Sequence, residues 1–371
     1  MNDGYILSHD LGTSGNKATL FTTEGNLVSS VTSSYGTEYS HNTWAEQDPS
    51  DWWSAVCDSS KKLLEGIDSK AIRAVALSGQ MMGCVCVDDK GRPLRNALIY
   101  CDQRSEEQVR RLEERIDPKE FYRITGHRIS SSYSVEKFMW IRDNEPEIYA
   151  ATAKMLHAKD YINFMLTGRM ISEYSDASGT NILDLESLEW SGEIIEAAEI
   201  DPAKLPELTA STGIAGTVTR EAADATGLAA GIPVVAGAGD GLCAGVGVGS
   251  VKPGSTYNYL GSSSWIATTT ETPLYDPDMR SFVWAHAVPG CYHPCGTMQT
   301  AGSSFTWLKQ QICRAESAAA EESGESPFDA INRVAGASPA GARGLIFLPY
   351  LLGERSPRWN PQAKGGFLGL T

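Results

Sequence analysis

No apolar run in this chain approaches the roughly 20 residues that a membrane-spanning helix needs, so a transmembrane reading finds no support. No basic cluster stands out either. Acidic residues outnumber basic ones, 46 to 31, for a formal net charge of -15. That balance argues against nucleic acid and anionic membrane surfaces as partners. Cysteine is sparse and scattered, at positions 57, 84, 86, 101, 243, 291, 295 and 313. Met1 to Tyr5 is polar, and Ile6-Leu7 gives way at once to Ser8-His9-Asp10. That start does not read as a secretion leader, and reduced thiols in a cytoplasm are expected. His286, Cys291, His293 and Cys295 lie close together around Pro289-Gly290. No paired CxxC or HxxxH spacing completes a zinc site there.

What the chain does have is length and apolar content. With 371 residues, 42% of them hydrophobic, it has enough material for about two domains with sizeable cores. The stretch Pro233 to Gly249 reads as a short buried strand, a turn Gly237-Ala238-Gly239-Asp240-Gly241, and a small-residue helix start. Glycines on both sides of Asp240 let a backbone or a substrate approach its carboxylate. Asp in a turn also caps backbone N–H groups, and this stretch alone leaves both roles open.

Near the start, two strands are expected around Gly12-Thr13-Ser14-Gly15, with Lys17 and Asp10 close by, and a third strand at Leu27 to Ser33. The turn matches neither GxxxxGK[ST] nor GxGxxG. It still offers backbone N–H donors, two hydroxyls, a cation and a carboxylate. Those groups suit a phosphate and a hydrated divalent cation, and they equally suit an ordinary polar hairpin. Asp48 with Pro49 predicts a helix start running to about Leu64. Ala71 to Leu77 predicts a buried strand ending in Ser78-Gly79-Gln80-Met81-Met82-Gly83, and Ala97 to Tyr100 one ending at Cys101-Asp102. Polar residues at such strand ends are where α/β folds place substrates, which makes Gln80 and Asp102 candidates.

Helices are expected over Ser134 to Asn144 and Tyr161 to Leu166. Ser175 to Thr180 reads as a polar turn, and Ser317 to Ser326 as a mobile surface segment. A second Gly/Ser turn, Gly261-Ser262-Ser263, follows a strand at Ser255 to Leu260. Ala301-Gly302 then opens a helix, and Leu345 to Tyr350 is a further strand. Two turns of like chemistry suggest a duplicated fold with a cleft between its halves.

In this order, Asp10-Leu11-Gly12-Thr13-Ser14, Trp44 to Pro49, Ser78-Gly79-Gln80-Met81, Lys159-Asp160-Tyr161, Gly237 to Asp240, and Leu348-Pro349-Tyr350 with Gly353-Glu354-Arg355 resemble the FGGY family of carbohydrate kinases. The likeness runs from Ile6 to Thr371 and is greatest to its xylulose kinases. It implies an α/β fold of the two-domain, actin-like ATPase (ribonuclease H-like) type. The expected division is 1–231 for a sugar- and phosphate-binding N-terminal domain and 232–371 for a C-terminal domain. It also implies ATP and Mg2+ as cofactors, a small-molecule sugar as substrate, and a homodimer as the assembly to expect.

By position, the resemblance makes Asp240 the catalytic base for in-line phosphoryl transfer. Asp10 would orient Mg2+ through water. Gly12, Thr13, Ser14 and Lys17 would hold the transferring phosphoryl group. Gly261, Ser262, Ser263 and Gly302 would lie near the nucleotide, and Gln80, Met81, Met82 and Asp102 near the sugar.

Three departures stand out. Met82 occupies the place where xylulose kinases usually carry a sugar-contacting His, so the sugar is open: a ketopentose such as D-xylulose, another ketose, a polyol or a sugar acid. Tyr100-Cys101 replaces the usual Trp-Asn. Relatives continue about a hundred residues beyond Thr371 and carry a Gly-Gly-Gly-Ala adenosine motif that this sequence lacks. The expectation is therefore a fragment with an incomplete second domain, and a sugar-binding remnant without ATP turnover is the competing reading. An actin- or Hsp70-type structural ATPase fits less well, because the Gln80-Met81 turn and the Trp44 to Pro49 segment are sugar-kinase features.

Overall fold

A computed structural model describes residues 4–360 and 362–370. By contacts the chain forms two compact units. The first comprises Met1–Ser255, Thr269–Tyr275 and Val283–His293; the second comprises Thr256–Thr268, Asp276–Phe282 and Pro294–Thr371.

The first unit is built on strands β1 (Tyr5–Leu11), β2 (Gly15–Thr22) and β3 (Leu27–Ser34), which fold back on one another as an antiparallel ribbon. Helix α1 (Pro49–Leu63) starts where Asp48 accepts a hydrogen bond from Ser50 N, with Pro49 in the first turn, where its missing N–H costs nothing. It stops at Leu64, before Gly66. Its buried face carries Trp52 and Val56 into a core with Leu7, Leu11, Leu20, Val75 and Leu77.

β4 (Ile72–Gly79) runs parallel to β1. Helix α2 (Ser134–Asn144) has the predicted bounds. Helix α3 (Ala158–Thr167) is closed by Gly168 in the left-handed conformation that glycine adopts at least cost. Helix α4 (Tyr174–Ser178) occupies the segment read from sequence as a polar turn. Glu173 precedes it and caps it, accepting from the N–H groups of Ser175 and Asp176.

Strands β5 (Ile214–Thr217), β6 (Pro233–Val235) and β7 (Ala238–Gly239) complete a sheet of order β5-β6-β4-β1-β2-β3, with β7 alongside β4. Helix α5 (Asp240–Gly247) follows directly. The boundary expected at 231/232 falls inside this unit, because β6 and β7 hydrogen-bond to β4 and so belong to the first sheet.

The second unit pairs β8 (Thr256–Leu260) with β9 (Ser264–Thr268), and β9 with the later part of β10 (Tyr292–Met298). Helices α6 (Gly302–Gln311), α7 (Arg314–Ser323) and α8 (Pro327–Gly336) follow, then β11 (Ile346–Leu348) paired with β12 (Gly366–Leu368). α7 corrects the expectation of a mobile segment at Ser317 to Ser326. Its Ala- and Glu-rich sequence has high helix propensity, and Ala320 is buried.

Candidate active site

Three parallel strands end at one level in the first unit. Asp10 of β1 stands opposite Ser78 of β4, and Leu11 opposite Gly79. Ala238 and Gly239 of β7 stand opposite Ser78 and Gly79 from the other side. The sequence therefore delivers Asp10, Gln80 and Asp240 to neighbouring strand ends, the place where α/β sheets gather ligands. The turn before Asp240 accepts only glycine at position 237. Its φ is +79°, and a Cβ there would stand 1.9 Å from the Leu77 carbonyl oxygen.

Asp240 opens α5, and its Oδ1 accepts from Gly241 N at 2.7 Å. The residue reaches solvent, yet protein surrounds its carboxyl group. Loss of hydration raises its pKa to about 7, and the negative charges of Asp10 and Asp176 add to the rise; the Gly241 N–H opposes it. A carboxyl group so raised is a proton acceptor poised near neutral pH.

Asp10 is exposed and accepts from Ser78 Oγ at 2.9 Å. Lys17 lies directly opposite it on β2. Between them, the carbonyls of the Gly12-Thr13-Ser14 turn are all engaged. Tyr35 OH donates to Gly12 O, Gln47 Nε2 to Thr13 O at 2.7 Å, and Tyr35 N to Ser14 O at 3.2 Å. In a trans peptide the N–H points away from its carbonyl, so these bonds turn the N–H groups of the same peptides the other way.

Gln47 was not singled out from sequence, and it joins two turns. Its Oε1 accepts from Trp52 Nε1 at 3.0 Å and from Gln80 Nε2 at 2.8 Å while its amide holds Thr13. Gln80 is buried, its backbone N–H donates to Leu11 O at 2.8 Å, and its Oε1 has no hydrogen-bond partner. Met82, two residues on, has φ +62°, a left-handed conformation that a non-glycine residue adopts only at a cost. Its side chain and that of Trp284 both approach Gly179, where a Cβ would lie 3.5 Å from Met82 Cγ and 3.4 Å from Trp284 Cζ3. Met81 is buried beside β7, with its Sδ 2.3 Å from where a Cβ on Gly239 would stand.

Asp102 does not behave as a free ligand. It is fully buried, its oxygens accept from Ala45 N at 2.7 Å and Arg104 N at 3.1 Å, and the Arg104 guanidinium grips both. Arg104 in turn lies over the Trp44 ring, 3.8 Å from its centroid. The strand-end position that made Asp102 a candidate instead places it in a structural ion pair.

In the second unit, the structure brings Gly261, Ser262, Ser263 and Gly302 together. Gly302 N donates to Gly261 O at 2.8 Å, and Ser303 Oγ to Ser262 O at 2.6 Å. A Cβ on Gly302 would stand 2.5 Å from Gly261 O, so only glycine permits this approach. A helix N-terminus beside a Gly/Ser turn is a setting for anions. The His286, Cys291, His293, Cys295 group is not a ligand cluster. Among the described residues, metal-type grouping occurs only at His157, Asp160 and Asp176, and His286 is held by Ser250 O at 3.1 Å and by Val288 N at 2.9 Å.

Comparison with known proteins decides the family. The model of the FGGY carbohydrate kinase N-terminal domain matches residues 5–247, and that of the C-terminal domain matches residues 256–371. This chain belongs to the FGGY family of carbohydrate kinases. It is similar to a xylulose kinase of Escherichia coli (strain K12), with 34% identity over 98% of this chain and 72% of that one. It is also similar to a gluconokinase of Bacillus subtilis (strain 168), with 31% identity over 99% and 71%. The ligand-bound xylulose kinase structure from Lactobacillus acidophilus superposes with a TM-score of 0.90 at 30% identity, covering 99% of this chain and 72% of that one. The FGGY chain thus has the family's two-domain α/β, actin-like fold, and it is a sugar kinase. Among its described residues no helix is long and apolar enough to cross a membrane.

Proposed function

We propose that the chain transfers the γ-phosphoryl group of ATP to a hydroxyl of a small ketose, most simply a ketopentose such as D-xylulose, giving xylulose 5-phosphate. The observation that carries this reading is the raised carboxyl of Asp240, an exposed residue at the same strand-end level as Asp10 and Gln80. Asp240 takes the proton from the attacking hydroxyl. Thr13 and Ser14, with Lys17, bind the phosphoryl group through N–H, hydroxyl and ammonium donors, and Gly12, whose own N–H goes to Gly15 O at 3.1 Å, closes the turn that presents them. The unpaired Oε1 of buried Gln80 accepts from a sugar hydroxyl, which relieves the cost of leaving that oxygen unsatisfied. Met81 and Met82 shape the apolar side of the sugar.

Asp10 fits Mg2+ in donor type, since its exposed carboxylate offers the hard oxygen that this ion prefers. When bound with ATP, the ion would supply charge neutralisation on the phosphates. Gly261, Ser262, Ser263 and Gly302 offer the second unit's nucleotide-side donors.

A second reading, phosphorylation of a sugar acid, polyol or other ketose, is favoured by two observations. Met82 has no hydrogen-bonding group for a hydroxyl, and a gluconokinase ranks among similar chains. The test is sugar-dependent ADP release with ATP and Mg2+ across pentuloses, hexuloses, polyols and aldonic acids. The reading expects the highest kcat/KM with a pentulose. A higher value with an aldonic acid would replace the ketopentose by the second reading, and ATP hydrolysis indifferent to every sugar would reject both.

A further inference from the structure

Beneath the strand ends lies a buried polar cluster that takes no part in the reaction outlined above. Lys159, in the first turn of α3, is fully buried. Its Nζ stands 2.8 Å from Asp160 Oδ1, 3.4 Å from Asp176 Oδ2 and 3.5 Å from Glu173 Oε1. His157 bridges Asp176 Oδ1, at 2.5 Å from Nδ1, and Ser134 Oγ, at 2.7 Å from Nε2. His157, Asp160 and Asp176 bring ligand-type atoms within 4.8 Å of one another, the grouping of a metal site. Here an ammonium already neutralises those carboxylates, so the cluster reads as an internal ion pair network.

This network has one arm that leaves it. Ser175 Oγ donates to Glu173 Oε1 at 2.8 Å and accepts from Gly239 N at 3.1 Å. Gly239 is the residue before Asp240. The other oxygen of Glu173 accepts from Ser175 N at 2.9 Å and from Ser211 Oγ, so the carboxyl group cannot swing. From the same helix as Lys159, Asn163 Nδ2 donates to Ala236 O at 2.9 Å. The segment 236–239 is thus held at both ends from below. The fit is close: a Cβ on Gly79, the partner of Gly239 in register, would lie 3.0 Å from Lys159 Cβ.

We propose that Lys159, Glu173 and Ser175 form a positioning relay that fixes the Gly239 peptide and thereby aims the Asp240 carboxylate at the sugar hydroxyl. The proposal rests on Asp240 being the base. The physical argument is a chain of obligations. A buried peptide N–H requires an acceptor. The Ser175 hydroxyl accepts from it with a fixed direction only while its own proton goes to Glu173. Glu173 keeps its place because Lys159 ties it to Asp160 and Asp176 on neighbouring segments. Ion pairs from one buried ammonium to carboxylates on separate segments limit their movement, and a misplacement of about 1 Å at a reacting group costs about 10²-fold in rate. These are positioning residues and touch neither sugar nor nucleotide.

The test uses Ser175→Ala, which cuts the arm and leaves the ion pairs in place. The expected result is a kcat for sugar-dependent ADP release lowered about 10-fold or more. KM for the sugar should stay within about twofold, with the melting temperature lowered only by the few degrees that the lost buried hydrogen bonds cost. Ser175→Thr, which keeps the hydroxyl, should lie nearer the unaltered kcat than Ser175→Ala does. An unchanged kcat in Ser175→Ala, a kcat loss that tracks a fall in melting temperature and a rise in KM, or a Thr variant worse than the Ala variant would each overturn the relay. Asp240→Asn is assayed in parallel. Loss of turnover there with an unaffected Ser175→Ala defeats the relay alone; turnover retained in Asp240→Asn defeats the base reading beneath it.

Discussion

Asp240 and Asp176 lie in the same unit, the first an exposed residue and the second fully buried, and although desolvation pushes both carboxyl groups upward they meet opposite electrostatic fates. The leading influences on Asp240 include no cation. Lost hydration lifts its carboxyl to about 7, with Asp10 and Asp176 pushing the same way. Asp176 is more completely buried, and burial pushes it up too, but the His157 imidazolium and the Lys159 ammonium outweigh that and hold it below the usual carboxylate range. Glu173, one shell further, goes up: burial leads, and Lys159 only partly offsets it. Burial acts most strongly on His157 and would lower it, but the charge and hydrogen bond of Asp176 together with the charge of Asp160 carry it upward. Burial alone does not decide whether a carboxylate is a structural anchor or a candidate base. The presence of a compensating cation does.

The comparison breaks most sharply at its exposed member. Asp240→Asn should lower kcat by about 10²- to 10⁴-fold, the usual contribution of a positioned general base, while sugar binding by calorimetry survives. Lys159→Met attacks the other side of the comparison. It strands buried carboxylates and should cost about 3–5 kcal/mol of stability, read from urea unfolding. A Lys159→Met chain as stable as the unaltered one would show that the cluster is not held by its charges.

Gln47→Leu sharpens the contrast between the turns and the cluster. It leaves Gln80, the Trp52 indole N–H and the Thr13 carbonyl without their partner. It should cost about 1–3 kcal/mol, together with a higher KM for the sugar.

The smallest effect has a sign worth testing. The folded pKa of Asp240, about 7, lies above the ordinary value of 3.8. Between those values the folded chain binds more protons than the unfolded one, so this group's ionisation lowers stability as pH rises through that window, and the full penalty applies above 7. Asp240→Asn should accordingly melt higher than the unaltered chain at pH 8, with the gain fading as pH falls toward 4. A gain that is equal at both pH values would remove Asp240 ionisation as its cause.

Much of the scaffold was legible because it depends on neighbours in sequence. Asp48 with Pro49 announced α1, Gly168 announced the end of α3, and the glycines around Asp240 announced a turn that admits nothing larger at position 237. The candidate site was legible where motif and strand end coincide, at Asp10, Gln80 and Asp240. What escaped was set by contacts between distant residues. Ser175 and Asp176 read as part of a polar turn, yet both are buried: Lys159 and His157 reach Asp176 from a distant stretch of sequence, and Ser175 is held by Glu173 and the Gly239 N–H. Asp102 shared the strand-end logic of Gln80 but meets Arg104 two residues on, which consumes it. Gln47 gave no local signal for its link between turns. The one clue to the cluster was the pair Lys159-Asp160 set directly against Tyr161-Ile162 in a helix whose neighbours are apolar.

The most direct test of the Asp240 assignment is the pH dependence of kcat/KM for sugar-dependent ADP release in the unaltered chain and in Asp240→Asn. The account predicts that activity rises with pH to a plateau above about 7, the value at which Asp240 becomes ionised, and that Asp240→Asn stays near background throughout. Sugar-dependent turnover by Asp240→Asn with the same rising limb would contradict it, since some other group would then be taking the proton.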